Sequence, residues 1–185
     1  MNYWIGQGFG ILAMICELMM PQFKHKWQML VVNIFINSFL GLNLLFLGRI
    51  GSGIFLFAVA VVQAIVNLIH TLREKPPKKW EYALFFLLYV GLGFYGFFTS
   101  PTYVPGINGR NLLELLPISG AVFSMLFVST REERKARYFL LACNMHWTVY
   151  HAIIGSTSVL GAICSSVSCT IAIIRNRKKA SENAQ

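Results

Sequence analysis

Three short stripes of polar side chains stand out in a chain that is otherwise strongly apolar. Asn33 and Asn37 are four residues apart, so a helix puts them on one face. Gln63, Asn67 and His70 follow at i, i+4 and i+7, and Asn144, Trp147 and His151 likewise share a face at i, i+3 and i+7, with Thr148 beside Asn144. Amides donate and accept hydrogen bonds without carrying charge, and an indole adds a flat surface for stacking. Together they suit a pocket for a small neutral or polar solute. The same pattern also arises when amides join helices to each other, at about 0.6 kcal/mol per contact in a membrane. Both readings stand at this point.

Other chemistry finds little support. There is no His-Glu-x-x-His pair, no Gly-x-Ser-x-Gly elbow and no aspartate, so no enzyme is expected. His146 and His151 are five apart and fall on different helix faces, which argues against a shared metal; each reads as a satisfied interior or interface histidine. Cys16, Cys143, Cys164 and Cys169 sit in apolar runs without metal-ligand spacing and read as small hydrophobes. No cofactor or metal is expected. Glu17 and Glu114 are the carboxylates near the ends of apolar runs. Glu17, about a turn from one end, is expected to pair with Lys24 or to reach outward to the interface. With no acid near the middle of a run, facilitated passage is favoured over ion coupling.

The elements that must position these side chains follow from composition. Apolar residues make up 56% of 185, and charged residues only 12%, about half the share of a soluble domain. The charges are clumped, and the stretches between them are long enough to cross a bilayer as helices. These run near Tyr3–Met20, Gln28–Leu47, Gly53–Thr71, Tyr82–Phe98, Leu112–Val128, Tyr138–Ile154 and Thr157–Ile174. Helices are required because lipid offers no partner to free backbone groups. Seven spans put fourteen of the sixteen basic residues on one side, leaving Arg49 and Arg110 on the other. The positive-inside rule makes the rich side cytoplasmic, with the amino terminus outside. The net charge of +9 is therefore assigned to lipid headgroups rather than nucleic acid, since the cations sit at helix ends and not on a soluble basic face. The opening residues have no basic segment and no cleavage site, so no signal peptide is expected. The phospholipid bilayer and an unidentified small solute are the expected partners; a homo-oligomer is compatible with the same spans.

A layout also recurs after about 110 residues. Each copy has a glycine-bearing helix (Gly8 and Gly10; Gly120), a basic loop, a helix with an early asparagine (Asn33; Asn144) and a glycine turn. A third helix then runs back to a basic cluster. An odd number of spans inverts the chain, so one extra helix is needed for a second copy to lie parallel to the first. The expected architecture is an all-α membrane protein of seven helices, two parallel three-helix bundles joined by a linker helix. Residues 1–75 form the first repeat, 76–100 the linker helix, 101–111 an outer loop, 112–176 the second repeat and 177–185 a tail. Small-residue faces, Gly6 and Gly10 on helix one and Gly161, Ser165 and Ser168 on helix seven, read as close-packing surfaces.

This three-one-three layout resembles the SWEET and PQ-loop superfamily. Pro21-Gln22 resembles its PQ dipeptide, while the second copy has Arg131-Glu132 in that place. Tyr3-Trp4, Gln7-Gly8, Gly10, Glu114-Leu115-Leu116-Pro117, Gly120, Trp147 and Gly155-Ser156 together resemble the YgjV family of bacterial inner-membrane proteins. The likeness covers most of the chain, with little from helix four and the tail. It implies a bacterial plasma membrane and a SWEET-like bundle, and supplies no substrate. The leading expectation is a facilitative carrier with a mid-membrane pocket lined by Asn33, Asn37, Gln63, Asn67, Asn144, Trp147 and His151. The alternative is a receptor that uses the same pocket without turnover. A retinal protein is disfavoured because Lys178 lies beyond helix seven's apolar span.

Overall fold

A computed structural model describes residues 3–20, 23, 25–49, 51–100, 103, 105–106, 108–130 and 133–182. Pro21-Gln22, Arg131-Glu132 and Lys24 lie outside the described residues. Those described form seven α-helices: α1 (Tyr3–Met19), α2 (Lys26–Phe46), α3 (Ser52–Leu72), α4 (Lys79–Thr99), α5 (Gly109–Ser129), α6 (Glu133–Ile154) and α7 (Ser158–Glu182). Each coincides with an expected apolar run. The difference is at α6 and α7, which continue into the flanking basic segments because nothing there breaks helical hydrogen bonding.

Four helices, α2 to α5, are individually long and apolar enough to cross a membrane. Of the rest, α1 has 17 residues, and in α7 the apolar stretch runs to Ile174 before Arg175. Helix α6 has the length but is diluted by Asn144, His146, Thr148 and His151.

Tight turns, with Gly48 and Gly155 at positive φ, reverse the chain, so consecutive helices run antiparallel. The upper end of the bundle holds Tyr3, Phe46, Ser52, Thr99, Gly109, Ile154 and Ser158; the lower end holds Met19, Lys26, Leu72, Lys79, Ser129 and Glu133. Helix α1 packs on α2, α2 on α3, α3 on α5, α5 on α6, α6 on α7 and α7 back on α1. Six helices thus close a ring. Helix α4 stands outside it, against α3 and α5.

The distribution of side chains is inside-out relative to a soluble protein. Trp4, Phe35, Val62, Leu87, Ile153 and Ile171 point outward and exposed, whereas Gln7, Asn43, Gln63, Glu114 and His151 are buried. Even α6 keeps an apolar outer stripe of Tyr138, Met145, Val149 and Ile153 at helical spacing. Glycines set the closest approaches. A Cβ at Gly10 would collide with Thr157 and crowd Asn43 and Ser158, and one at Gly161 would collide with Glu17. Both positions bring α1 and α7 together, as their small-residue faces imply. Ser168 departs from that face: it is exposed, and the next residue, Cys169, is buried.

Candidate binding cavity

A cavity of about 60 Å³, the volume open to the centre of a water molecule, lies on the axis of the ring. At about 10–15 Å³ per water it has room for several. All six ring helices line it and α4 does not. Asn33, Asn37, Ile36 and Leu40 come from α2, and Leu140, Cys143, Asn144, Trp147 and His151 from α6. Helix α1 adds Glu17 and, just past its end, Met20; α3 adds Phe57, α5 Ser124 and Phe127, and α7 Ala162 and Ser165. From Leu140 to His151 the lining extends roughly 16 Å along α6 at 1.5 Å per residue. At its lower rim it reaches Phe127, two residues from the end of α5.

Aromatic rings form the upper wall. Trp147 stacks on Phe57 with centroids 4.5 Å apart and on His151 at 5.6 Å, and Tyr150 meets both edge-on. Trp147 can lie against α5 because position 120 is glycine, where a Cβ would stand 3.0 Å from the indole Nε1. Tryptophan usually sits at a membrane interface; this one is held in the bundle interior.

The polar groups here divide into bonded and unbonded. Asn37 Nδ2 donates to the backbone oxygen of Asn33 at 2.7 Å and to its side-chain oxygen at 3.1 Å. Asn144 Nδ2 donates to Ser165 Oγ at 2.8 Å. By contrast, Glu17 Oε2 and both ring nitrogens of His151 are buried with no hydrogen-bond partner. The expectation of a satisfied His151 is therefore corrected: its ring is fully enclosed and neither nitrogen is bonded. His146 fits the expectation, with Nδ1 2.7 Å from the carbonyl of Ala142 and its ring against Phe123. Glu17 points inward to the cavity rather than outward.

Five of the seven sequence-predicted residues thus come together: Asn33, Asn37, Asn144, Trp147 and His151. Gln63 and Asn67 do not join them. They face α4, where the Tyr89 hydroxyl donates to Gln63 Oε1 at 2.8 Å and Asn67 Nδ2 donates to the Gln63 carbonyl at 3.0 Å. Both line a separate cleft of about 10 Å³ with Glu81 and Ser129, room for a single water. Nearby His70 Nε2 lies 2.9 Å from Glu81 Oε2. Their helical spacing was legible, but which neighbour α3 turns that face toward was not.

Sequence reasoning missed a second polar constellation, above the cavity. Asn43 Nδ2 donates to the Gly6 carbonyl at 2.7 Å, and its Oδ1 accepts from Ser156 Oγ at 2.8 Å. Gln7 Nε2 donates to the Gly155 carbonyl at 3.0 Å and its Oε1 accepts from the Thr157 N–H at 2.9 Å. On the opposite side Ser52 Oγ bridges the backbone and carboxylate oxygens of Glu114 at 2.8 and 3.1 Å. These bonds tie α1 to α2 and to the α6–α7 turn, and α3 to α5, closing the upper end. Gln7 and Asn43 are polar residues within apolar runs, so the cost of burying an amide could have singled them out.

Among the described residues no group of three or more His, Cys, Asp or Glu side chains could hold a metal ion. All four cysteines are free thiols. No curated protein and no solved structure matches the chain. A family model described as Imp-YgjV, bacterial inner membrane protein, matches residues 4–180.

Proposed function

The chain belongs to the Imp-YgjV family of bacterial inner membrane proteins, and from that premise we propose that it is a carrier for a small polar solute. The observation that carries this reading is the axial cavity. It is lined by every helix of the ring, contains polar atoms left without partners, and lies between the bonded upper network and Phe127 near the lower end. A purely structural polar core would be expected to satisfy its own hydrogen bonds. This one does not.

The proposed architecture is the three-one-three plan with seven spans. In support, exchanging α1, α2, α3 for α5, α6, α7 reproduces the order of contacts around the ring, and α4 is the one helix left over. A carrier with its site on an axis between two such units alternates access by rocking one against the other. With the lower end cytoplasmic, as the basic residues favour, the closed upper network makes this an inward-facing arrangement. The shorter α1, the polar α6 and α7 span as members of the ring, with their apolar stripes toward lipid. The lack of a charged relay through the bundle favours facilitative passage. A binding protein without turnover would use the same cavity.

Counterflow in proteoliposomes tests the carrier directly: labelled solute should accumulate transiently against unlabelled solute inside. Ligand-induced stabilisation without any counterflow would favour the receptor. Orientation is tested in a chain stripped of its native cysteines. Pro105→Cys should label from the outside and Lys75→Cys from the cytoplasm, and labelling of both from one side would end the seven-span reading.

A further inference from the structure

The carrier reading leaves the charge of the solute open, and the cavity's bonding pattern addresses it. Among the described residues that line the cavity, Glu17 is the single charged one, with no lysine or arginine beside it. One of its carboxylate oxygens is buried without a partner. Two of the lining amides already bond within the wall: Asn37 gives its NH₂ to Asn33, and Asn144 gives an N–H to Ser165. The charge-bearing group left unpartnered in the lining is therefore an acceptor, the Glu17 carboxylate. In the same lining stands the Trp147–Phe57 stack, whose π faces attract a cation. His151, with both ring nitrogens unbonded, can accept one further hydrogen bond at the upper end.

An unpartnered carboxylate and aromatic faces in an enclosed site select a donor-rich cation. A carboxylate left unpaired beside the hydrocarbon core is costly, and a solute ammonium supplies both the counter-charge and the hydrogen bonds it lacks. Resting on the carrier reading above, we propose that the solute is a small organic ammonium whose charged head is held by Glu17. The position of Glu17, two residues from the end of α1, puts its carboxylate near the lower end of the cavity, on the side from which such a solute would enter.

The test uses the purified full-length protein and three water-soluble probes of similar size: ethanolammonium, neutral ethylene glycol and anionic glycolate. Thermal stability is titrated against each, in wild type and in Glu17→Gln. Ethanolammonium should stabilise the wild type most. Glu17→Gln should weaken its apparent affinity about ten-fold or more, while leaving the melting point of the empty protein near wild type. Glu17→Asp, which keeps the charge, should retain the preference for ethanolammonium and guards against a variant that merely misfolds. Equal stabilisation by ethylene glycol, unchanged in Glu17→Gln, would overturn the ammonium assignment and leave a neutral-solute carrier standing. Preference for glycolate would overturn it as well. No response to any probe would also overturn it, and counterflow with other solutes would then judge the carrier reading separately.

Discussion

Two polar regions lie a few helical turns apart in the same bundle, and they are built on opposite terms. At the upper end Gln7, Asn43, Ser156 and Thr157 spend their hydrogen-bonding capacity on each other and on backbone groups of neighbouring helices. In the axial cavity Glu17 and His151 leave theirs unspent. Both regions draw on α1, α2, α6 and α7, so neither composition nor local helix propensity accounts for the difference. A buried polar group that bonds across helices fixes their relative position. One that faces a cavity without a partner costs stability in the empty protein and is repaid when a ligand arrives. The upper region reads as a clasp and the lower one as a site.

The sharpest break of this comparison would come from the clasp. Asn43→Ala removes bonds to Gly6 and Ser156 and leaves the buried Ser156 hydroxyl without its acceptor, so it should destabilise the protein by about 2–3 kcal/mol. Unfolding titrated with denaturing detergent measures this, and a change below the level of cavity variants would dissolve the distinction. Next in size is a steric test of the same contact. Gly10→Ala should cost about 1–3 kcal/mol because its Cβ meets Thr157, Ser158 and Asn43. Gly8→Ala, with open space around it, should stay within about 0.5 kcal/mol of wild type. Equal effects of the two would show that α1 does not pack here as described.

The cavity should answer in the other direction. His151→Leu exchanges two unbonded buried nitrogens for an apolar group of similar size, so stability should hold or rise by about 0–2 kcal/mol. The stabilisation conferred by ligand should be lost. A large fall in stability would mean that His151 belongs to the clasp. The smallest effect is expected for Asn37→Ala, whose bonds stay within one turn of α2. It should change stability by less than about 1 kcal/mol and act on apparent ligand affinity instead.

Much of this was visible before any coordinates. The apolar runs located all seven helices because a chain with so few charges has no other way to satisfy its backbone in lipid. The stripe on α6 was also legible, since Asn144, Trp147 and His151 share a face at i, i+3 and i+7 and that face turned to the axis. Gln63 and Asn67 had equally good spacing and went elsewhere. Spacing fixes which residues share a face; the helix that packs against that face is chosen by the whole bundle. The same limit applies to Glu17, which the sequence set near a helix end and the fold turned inward, where Gly161 on α7 makes room for it.

By itself, then, the sequence determined an all-helical chain of a bacterial inner-membrane family, the extent of its helices, and the polar residues too costly to face lipid. Those properties are local or additive: hydropathy, helical period and charge placement sum along the chain without reference to distant partners. The tertiary structure decided which polar groups bond to one another and which are left facing a cavity. That distinction depends on residues more than a hundred positions apart, such as Gln7 with Thr157 and Asn43 with Ser156, meeting within 3 Å. A hydrogen bond is lost over an ångström or so of misplacement, and only the assembled ring fixes positions to that tolerance.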